Sequence, residues 1–396
     1  MEIGRVFDHI DPEAIGQDTL DFVKVKSETG QEREGCLFFA DLLRREGFEV
    51  SLDEVEPGRC NVYTSLESGS PQALHRPSLM LNGHIDTIPV GRSASPAAQG
   101  DWVVGRGAED MKGGLVAMAH AVSALRKAGL GLAGDVWITG VIGHESPAGK
   151  KEGPKRLIER LRSGKMRAGA IIIAEGPCAI WAASLGSTIF TVTILSELGP
   201  IHTIKVPYAA NPARWLGELL VEFERVERRF SEVAPHPLCG RERLNVGIVS
   251  AGDYCNRLPT ACTVTGTWRW QPGKTHQAVR TQLEAICETL AKRSGLKVEA
   301  SFQAAREPFE TPGSHPVIQA LREAGRIVVG RSPEVIGMGL VGDANFYAND
   351  AGVSTVYYGP AHETAHSDDE RVSVAQLTHC AKMYAAAAMA YCGVAA

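Results

Sequence analysis

The chain has 396 residues, 44% of them hydrophobic and 22% charged, with a formal net charge of −5. That length exceeds one ordinary core and favours two domains, and the composition excludes a disordered or fibrous chain. The mild acidity offers nothing to attract a nucleic acid. Nine cysteines (Cys36, Cys60, Cys178, Cys239, Cys255, Cys262, Cys287, Cys380 and Cys392) are odd in number, scattered and without a CxxC pair. They read as reduced thiols of a cytoplasmic protein, not as a disulfide frame or zinc knuckle. The amino-terminal "MEIGRVFDHIDPEAIG" carries acids early and no apolar run of signal-peptide length, and no later run approaches a membrane span. A cytoplasmic location without a membrane partner is expected.

In chain order, apolar residues recur at helical spacing from Pro12 to Lys26 and from Glu32 to Glu46, and "EGFEVSLDEV" then alternates like a strand. "SLMLNGHIDTIPV", Ser78 to Val90, is a short apolar run with a polar tip, the pattern of a buried strand. "MKGGLVAMAHAVSALRKAG" predicts a helix closed by Gly129, and "DVWITGVI" and "AGAIIIAE" two more buried strands. Strands alternating with helices imply a largely parallel sheet with sites at the strand ends.

The character changes near Ser184. "STIFTVTIL", "ERLNVGIVSAG" and "CTVTGTWRWQPG" are strand-like, and "NPARWLGELLVEFERVERRF" and "THQAVRTQLEAICETLAKRSG" are amphipathic helices. This block suits a separate small α+β domain. From "HPVIQALREAGRIVV" through "GVSTVYYGP" to "VAQLTHCAKMYAAAAMAYCG" the style of the start returns. The expected architecture is a discontinuous α/β domain with a mixed, mostly parallel sheet (1–185 and 305–396) and an inserted lid over 186–304.

The strand ends carry metal-type ligands. His84 and Asp86 sit two apart in "GHIDT", so on an extended chain they share a face, one able to ligate and the other to orient it. Asp110 lies in the glycine-bounded "GRGAEDMKGG", Glu175 closes "IIIAEGP", and His366 sits in "AHETAHSDDE". Singly, each reads more readily as a surface or satisfied core residue than as a ligand. Together, "GHIDTIPV", "GRGAEDMKGGLVA", "AEGP" and "AHSDDE" resemble the signature set of the co-catalytic zinc aminoacylase and carboxypeptidase family, which includes acetylornithine deacetylase, succinyl-diaminopimelate desuccinylase and glutamate carboxypeptidase. The resemblance spans nearly the whole chain, "SETGQEREGCLFFADLLRREGFEV" included.

The resemblance implies two divalent metal ions, with zinc best suited and cobalt or manganese able to substitute. Asp110 would bridge them. His84 and Glu175 would hold one ion, His366 and an acid of the "VIGHES" loop the other, and Asp86 would orient His84. At that loop the family shows two adjacent glutamates, a general base followed by a metal ligand. Counted without a gap, this chain has His144 at the base position and Glu145 at the ligand position. An imidazole is a legitimate base at neutral pH. A one-residue shift, which Pro147 and the long "SPAGKKEG" segment permit, would make Glu145 the base and leave Ser146 where a ligand is needed.

"LGPIHT" resembles the lid segment whose histidine, here His202, reaches the partner subunit's site and stabilises an oxyanion. That role implies a homodimer formed through the lid. "YCNRLPTACTVTGTWRW" resembles the segment that supplies Asn256 and Arg269 to the substrate, the guanidinium being a planar fork for a carboxylate; an Arg paired with a surface acid is the bland reading. "GLVGDANFYAND" places Asp343 in what resembles a substrate loop. The expected function is metal-dependent hydrolysis of the amide bond of an N-acyl amino acid or small peptide bearing a free carboxylate. The altered "VIGHES" loop motivates an alternative, a non-hydrolytic or ligand-binding member of the same fold.

Overall fold

The computed structural model describes residues 2–68, 77–145 and 148–395. The chain divides into two units, one comprising Met1–Ala182, Thr311–Ile336 and Phe346–Ala396, the other Ala183–Glu310 and Gly337–Asn345.

The first unit is organised on a sheet that runs Ser51–Glu56, Arg59–Leu66, Val136–Val141, Leu79–His84, Ala170–Ile173, Thr355–Tyr357 and Ile180–Ser184. Its centre is parallel: Leu79–His84 pairs in parallel with both Val136–Val141 and Ala170–Ile173, as does Thr355–Tyr357 with Ala170–Ile173. Antiparallel pairs flank this centre. The mixed, mostly parallel α/β class expected from the sequence is the one observed. The central strands read LMLNGH, VWITGV and AIII and are almost wholly buried, as strands covered on both faces must be. Helix Gly113–Lys127 is buried from Gly113 to Leu125 because it packs between strands of this sheet and the helices Pro12–Lys24 and Val374–Cys392. A smaller sheet of Arg371–Ser373, Trp102–Val104 and Ala97–Gln99 stands apart from the large one.

One close approach decides where the site lies. A Cβ on Gly114 would stand 2.0 Å from the Ala174 carbonyl oxygen, so only glycine lets the helix start press against the strand end. The segment carrying Asp110 is thereby brought to the residue before Glu175.

The second unit is an antiparallel sheet in the order Arg243–Ala251, Ala261–Trp270, Gly186–Leu195, Lys297–Arg306, with helices Leu216–Glu232 and His276–Ser294. Strand Ala261–Trp270 alternates strictly between buried and half-buried residues, and its core includes Phe190, Phe223, Trp268, Trp270 and Leu283. The two tryptophans flanking Arg269 are thus packing residues. Strand Lys297–Arg306 is not foreseen in the sequence, because KVEASFQAAR pairs a polar face with small apolar residues and lacks a strong strand signature. No described helix is long and apolar enough to cross a membrane.

Candidate metal centre

His84 ends its buried strand in the first unit with its ring against Asp110. Its Nδ1 lies 2.8 Å from the Asp86 main-chain carbonyl oxygen, and its Nε2 lies 3.0 Å from Asp110 Oδ1. The carbonyl can only accept, so Nδ1 donates to it; the Asp110 carboxylate likewise accepts, so in the metal-free protein Nε2 carries a proton too, and that is the proton a metal would displace. The Asp86 carboxylate, expected to face the ring, is 3.8 Å from Nδ1 and is engaged elsewhere. Its Oδ1 accepts from the His144 N–H at 3.0 Å, and its Oδ2 accepts from the Glu145 N–H and the Thr29 hydroxyl, both at 2.9 Å. Asp86 therefore holds the ring through its backbone and the loop through its side chain.

Asp110 lies in the irregular segment Ala108–Lys112 that leads into helix Gly113–Lys127. Its two oxygens face two imidazoles: Oδ1 is 3.0 Å from His84 Nε2 and Oδ2 is 3.2 Å from His366 Nε2. Glu145 Oε1 is 3.0 Å from that same His366 nitrogen. Two groups of donor atoms result, each with all members within 4.8 Å of one another: His84, Asp110 and Glu145, and His84, His144 and Glu175. The His144 ring lies parallel to that of His84, with centroids 4.0 Å apart and planes inclined by 3°. Ser146 and Pro147, on which the shifted register depends, lie outside the described residues.

Two acids that the sequence did not single out brace the cluster. Glu370, fully buried, accepts from Arg106 Nη1 at 2.6 Å and from the backbone N–H groups of Asp110 and Glu109 at 3.0 and 3.2 Å. The Glu109 carboxylate accepts from the Thr364 N–H at 2.7 Å and its hydroxyl at 3.0 Å, tying the Asp110 segment to the stretch that bears His366. Thr29 acts similarly on Asp86. All of these bind backbone or neighbouring acids, which leaves no residue spacing to read.

The electrostatics are those of an acid-rich cluster that holds positive charge on its imidazoles. Burial disfavours charge on His84, but Asp110 against Nε2, with Asp86 and Glu145 behind it, outweighs burial and holds its pKa well above the ordinary 6.5. Hydrogen bonds to Asp110 and Glu145 push His366 up to about 10. Burial would raise the Asp110 carboxyl, yet His366 and His84 win and hold it well below the usual range. Glu175 is raised by burial first and by the charge of Asp110 second. Protons on the imidazoles thus offset a cluster of buried acids. Imidazole nitrogens and carboxylate oxygens at these separations are also the donor set of a divalent metal site, and the residues present fit one.

The remaining expected site residues lie in the second unit. His202 Nε2 is 3.5 Å from Asn256 Nδ2, and the Thr203 N–H donates to the Asn256 carbonyl at 3.1 Å. The Arg269 guanidinium donates to the Gly339 carbonyl and not to a surface acid. Asp343 is buried at the start of helix Asp343–Asp350.

A family model described as Peptidase family M20/M25/M40 matches residues 80–390. The chain is 25% identical over 379 residues to N-formyl-4-amino-5-aminomethyl-2-methylpyrimidine deformylase of Bacillus subtilis, covering 87% of this chain and 86% of that protein. It is also 25% identical over 394 residues to succinyl-diaminopimelate desuccinylase of Dinoroseobacter shibae, covering 94% and 97%. Among solved structures, aminopeptidase PepT from Bacillus cereus superposes with a TM-score of 0.78 at 20% identity, covering 97% of this chain and 99% of that one. The Bacillus subtilis YXEP protein, described as a dinuclear metal binding peptidase, does so with 0.72 at 16% identity, covering 95% and 97%.

Proposed function

The chain belongs to peptidase family M20/M25/M40, and on that premise we propose that it hydrolyses the amide bond of N-acyl amino acids or small peptides that carry a free carboxylate. The observation that carries this reading is Asp110, whose two oxygens stand 3.0 and 3.2 Å from the imidazoles of His84 and His366. A carboxylate so flanked is placed to serve two cations at once. His84 and Glu175 would hold one ion, Glu145 and His366 the other, and Asp110 both. Zinc suits this donor set, with cobalt or manganese able to replace it. When bound, such a pair polarises a scissile carbonyl and lowers the pKa of water. The similarity to a dinuclear metal binding peptidase supports two ions, and the similarity to a deformylase and a desuccinylase supports an acylated amine as substrate.

The chain's own residues supply orientation. The Asp86 carbonyl fixes the His84 ring, and its carboxylate fixes the backbone of His144 and Glu145. That Glu145 stands against His366 favours the ungapped register, with Glu145 at the ligand position. Arg269 is assigned to the substrate carboxylate, a fork-to-fork pairing that would displace its present bond to the Gly339 carbonyl. His202 and Asn256, already adjacent, are assigned to the oxyanion in a homodimer. Its basis in this chain is the exposed edge strand Arg243–Ala251, which presents Ile248 and Val249.

The test is a panel of N-acetyl and N-succinyl amino acids and dipeptides offered to the zinc-, cobalt- or manganese-loaded protein. Turnover that a chelator abolishes, and that falls by about a hundredfold or more in Asp110→Asn, is expected. A metal-loaded protein inert on the whole panel would instead favour the ligand-binding alternative.

A further inference from the structure

We propose that Glu152, held by Arg59, is a positioning residue of the metal centre, fixing the foot of the loop that presents His144 and Glu145. The inference rests on the proposed function and adds to it a residue outside the ligand set.

That loop leaves the sheet at the end of strand Val136–Val141 and returns at helix Glu152–Arg162. Asp86 grips its tip, with one carboxylate oxygen on the His144 N–H and the other on the Glu145 N–H. Main-chain bonds close its base: the Lys151 N–H donates to the Gly143 carbonyl at 3.0 Å and the Gly153 N–H to the Ile142 carbonyl at 3.2 Å. Asn61 braces the same base, accepting from the Ile142 N–H at 3.1 Å and donating to the Gly153 carbonyl at 2.9 Å.

Glu152 joins the outgoing and returning arms. Its Oε2 accepts from the Lys150 N–H at 2.7 Å, and its Oε1 accepts from Arg59 Nη1 at 2.9 Å. The same carboxylate lies against Gly143, the residue before His144, where a Cβ would stand 2.6 Å from Oε2. Arg59 is itself anchored from behind by the fully buried Glu32, which takes Nε on Oε2 at 2.6 Å and Nη2 on Oε1 at 2.7 Å. Two parallel bonds of this kind fix the plane of a guanidinium and leave Nη1 aimed at Glu152. The remaining acid on Arg59, Glu56, is exposed and 3.3 Å away, so it adds little. Rigidity therefore passes from a buried acid through Arg59 and Glu152 to the backbone beside His144. A bland role competes with this one, because Glu152 also begins a helix and an acid there complements the helix dipole.

The experiment compares wild type, Glu152→Ala, Arg59→Lys and Glu56→Ala as cobalt-loaded proteins. The visible absorption band reads the geometry about the ions, kinetics on the N-acyl amino acid panel read kcat and KM, and urea midpoints read the fold. Glu152→Ala is expected to alter the band and to lower kcat by about 10–100-fold, the usual worth of an outer partner of metal ligands, with KM unchanged. Arg59→Lys keeps a cation on Glu32 and leaves the acid at the helix start, but cannot span both carboxylates, and it should move the band and kcat in the same direction. Glu56→Ala should match wild type in all three readings. Should Glu152→Ala not fold, Arg59→Lys decides on the same readings. A wild-type band and kcat in both variants would overturn the proposal, as would a lowered midpoint with band and kcat per folded molecule unchanged, which would leave Glu152 a helix-start acid. A wild type that binds cobalt but is inert on the panel would remove the proposed function alone, the band still deciding for Glu152. A wild type that takes up no cobalt would overturn both.

Discussion

Asp86 joins the strand-end histidine to the loop with one residue, its carbonyl on the His84 ring and its carboxylate on two loop N–H groups and Thr29. Asp86→Ala removes the acceptor of three donors and lets His144 and Glu145 drift. Zinc affinity should fall by about 10–100-fold, read by competition with a chromogenic chelator; an unchanged affinity would mean that the loop holds itself. The imidazoles set a pH dependence. In the metal-free protein the His366 charge contributes stability that is fully present below its ordinary 6.5 and lost as pH rises through about 10. Raised His84 acts in the same sense. Depressed Asp110 contributes stability that is present above its ordinary 3.8 and lost as pH falls through its lower folded value. Metal must displace the imidazole protons, so zinc uptake should release protons and tighten between pH 6.5 and about 10. Calorimetry in buffers of different ionisation enthalpy measures this, and zero proton release would contradict it. The residues that end apolar strands, His84 and Glu175, were legible in the sequence because a buried run with a polar tip is a pattern. Glu109, Glu370 and Thr29 lie inside the quoted "GRGAEDMKGG", "AHSDDE" and "SETGQ" stretches, but their roles were not legible there, because each acts on a backbone N–H or a neighbouring acid.

The start of helix Gly113–Lys127 and the end of strand Ala170–Ile173 meet where Gly114 faces the Ala174 carbonyl. Gly114→Ala would force the helix start away from that strand end. A cost of about 1–3 kcal/mol is expected from such overpacking, read as a lowered urea midpoint together with weaker metal binding, since Asp110 and Glu175 flank the contact. An unchanged midpoint would show that the approach is less constrained than the structure indicates. At this scale the long helices and the central strands were legible through their periodicity. Strands such as Trp102–Val104 and Arg371–Ser373 were not, because three residues are too few to display an alternation. Arg371–Ser373 nonetheless follows directly on Glu370, which anchors the Asp110 segment.

At the scale of the molecule the chain pairs a cluster of metal-type donors, all in the first unit, with a second unit whose edge strand is exposed. Ile248 and Val249 are 64% and 46% exposed on that strand, and Ile204 and Tyr208, in the stretch after His202, are 84% and 73% exposed. Apolar groups on an open strand edge are a template for pairing. Ile248→Lys should therefore convert the proposed dimer to monomer in analytical ultracentrifugation, and a variant that sediments as the wild type does would remove this surface from the interface. The division in character near Ser184 was legible from the strand-rich block that follows it, whereas the last strand, Lys297–Arg306, was hidden by its polar face. The account as a whole depends on Asp110 lying between two metal positions. Its most direct test is the metal content of the purified, zinc-loaded chain measured by mass spectrometry beside that of Asp110→Ala. Two equivalents per chain in the wild type, with loss from both positions in the variant, is the predicted result; a wild-type chain that binds none, or an Asp110→Ala chain that keeps both, would contradict it.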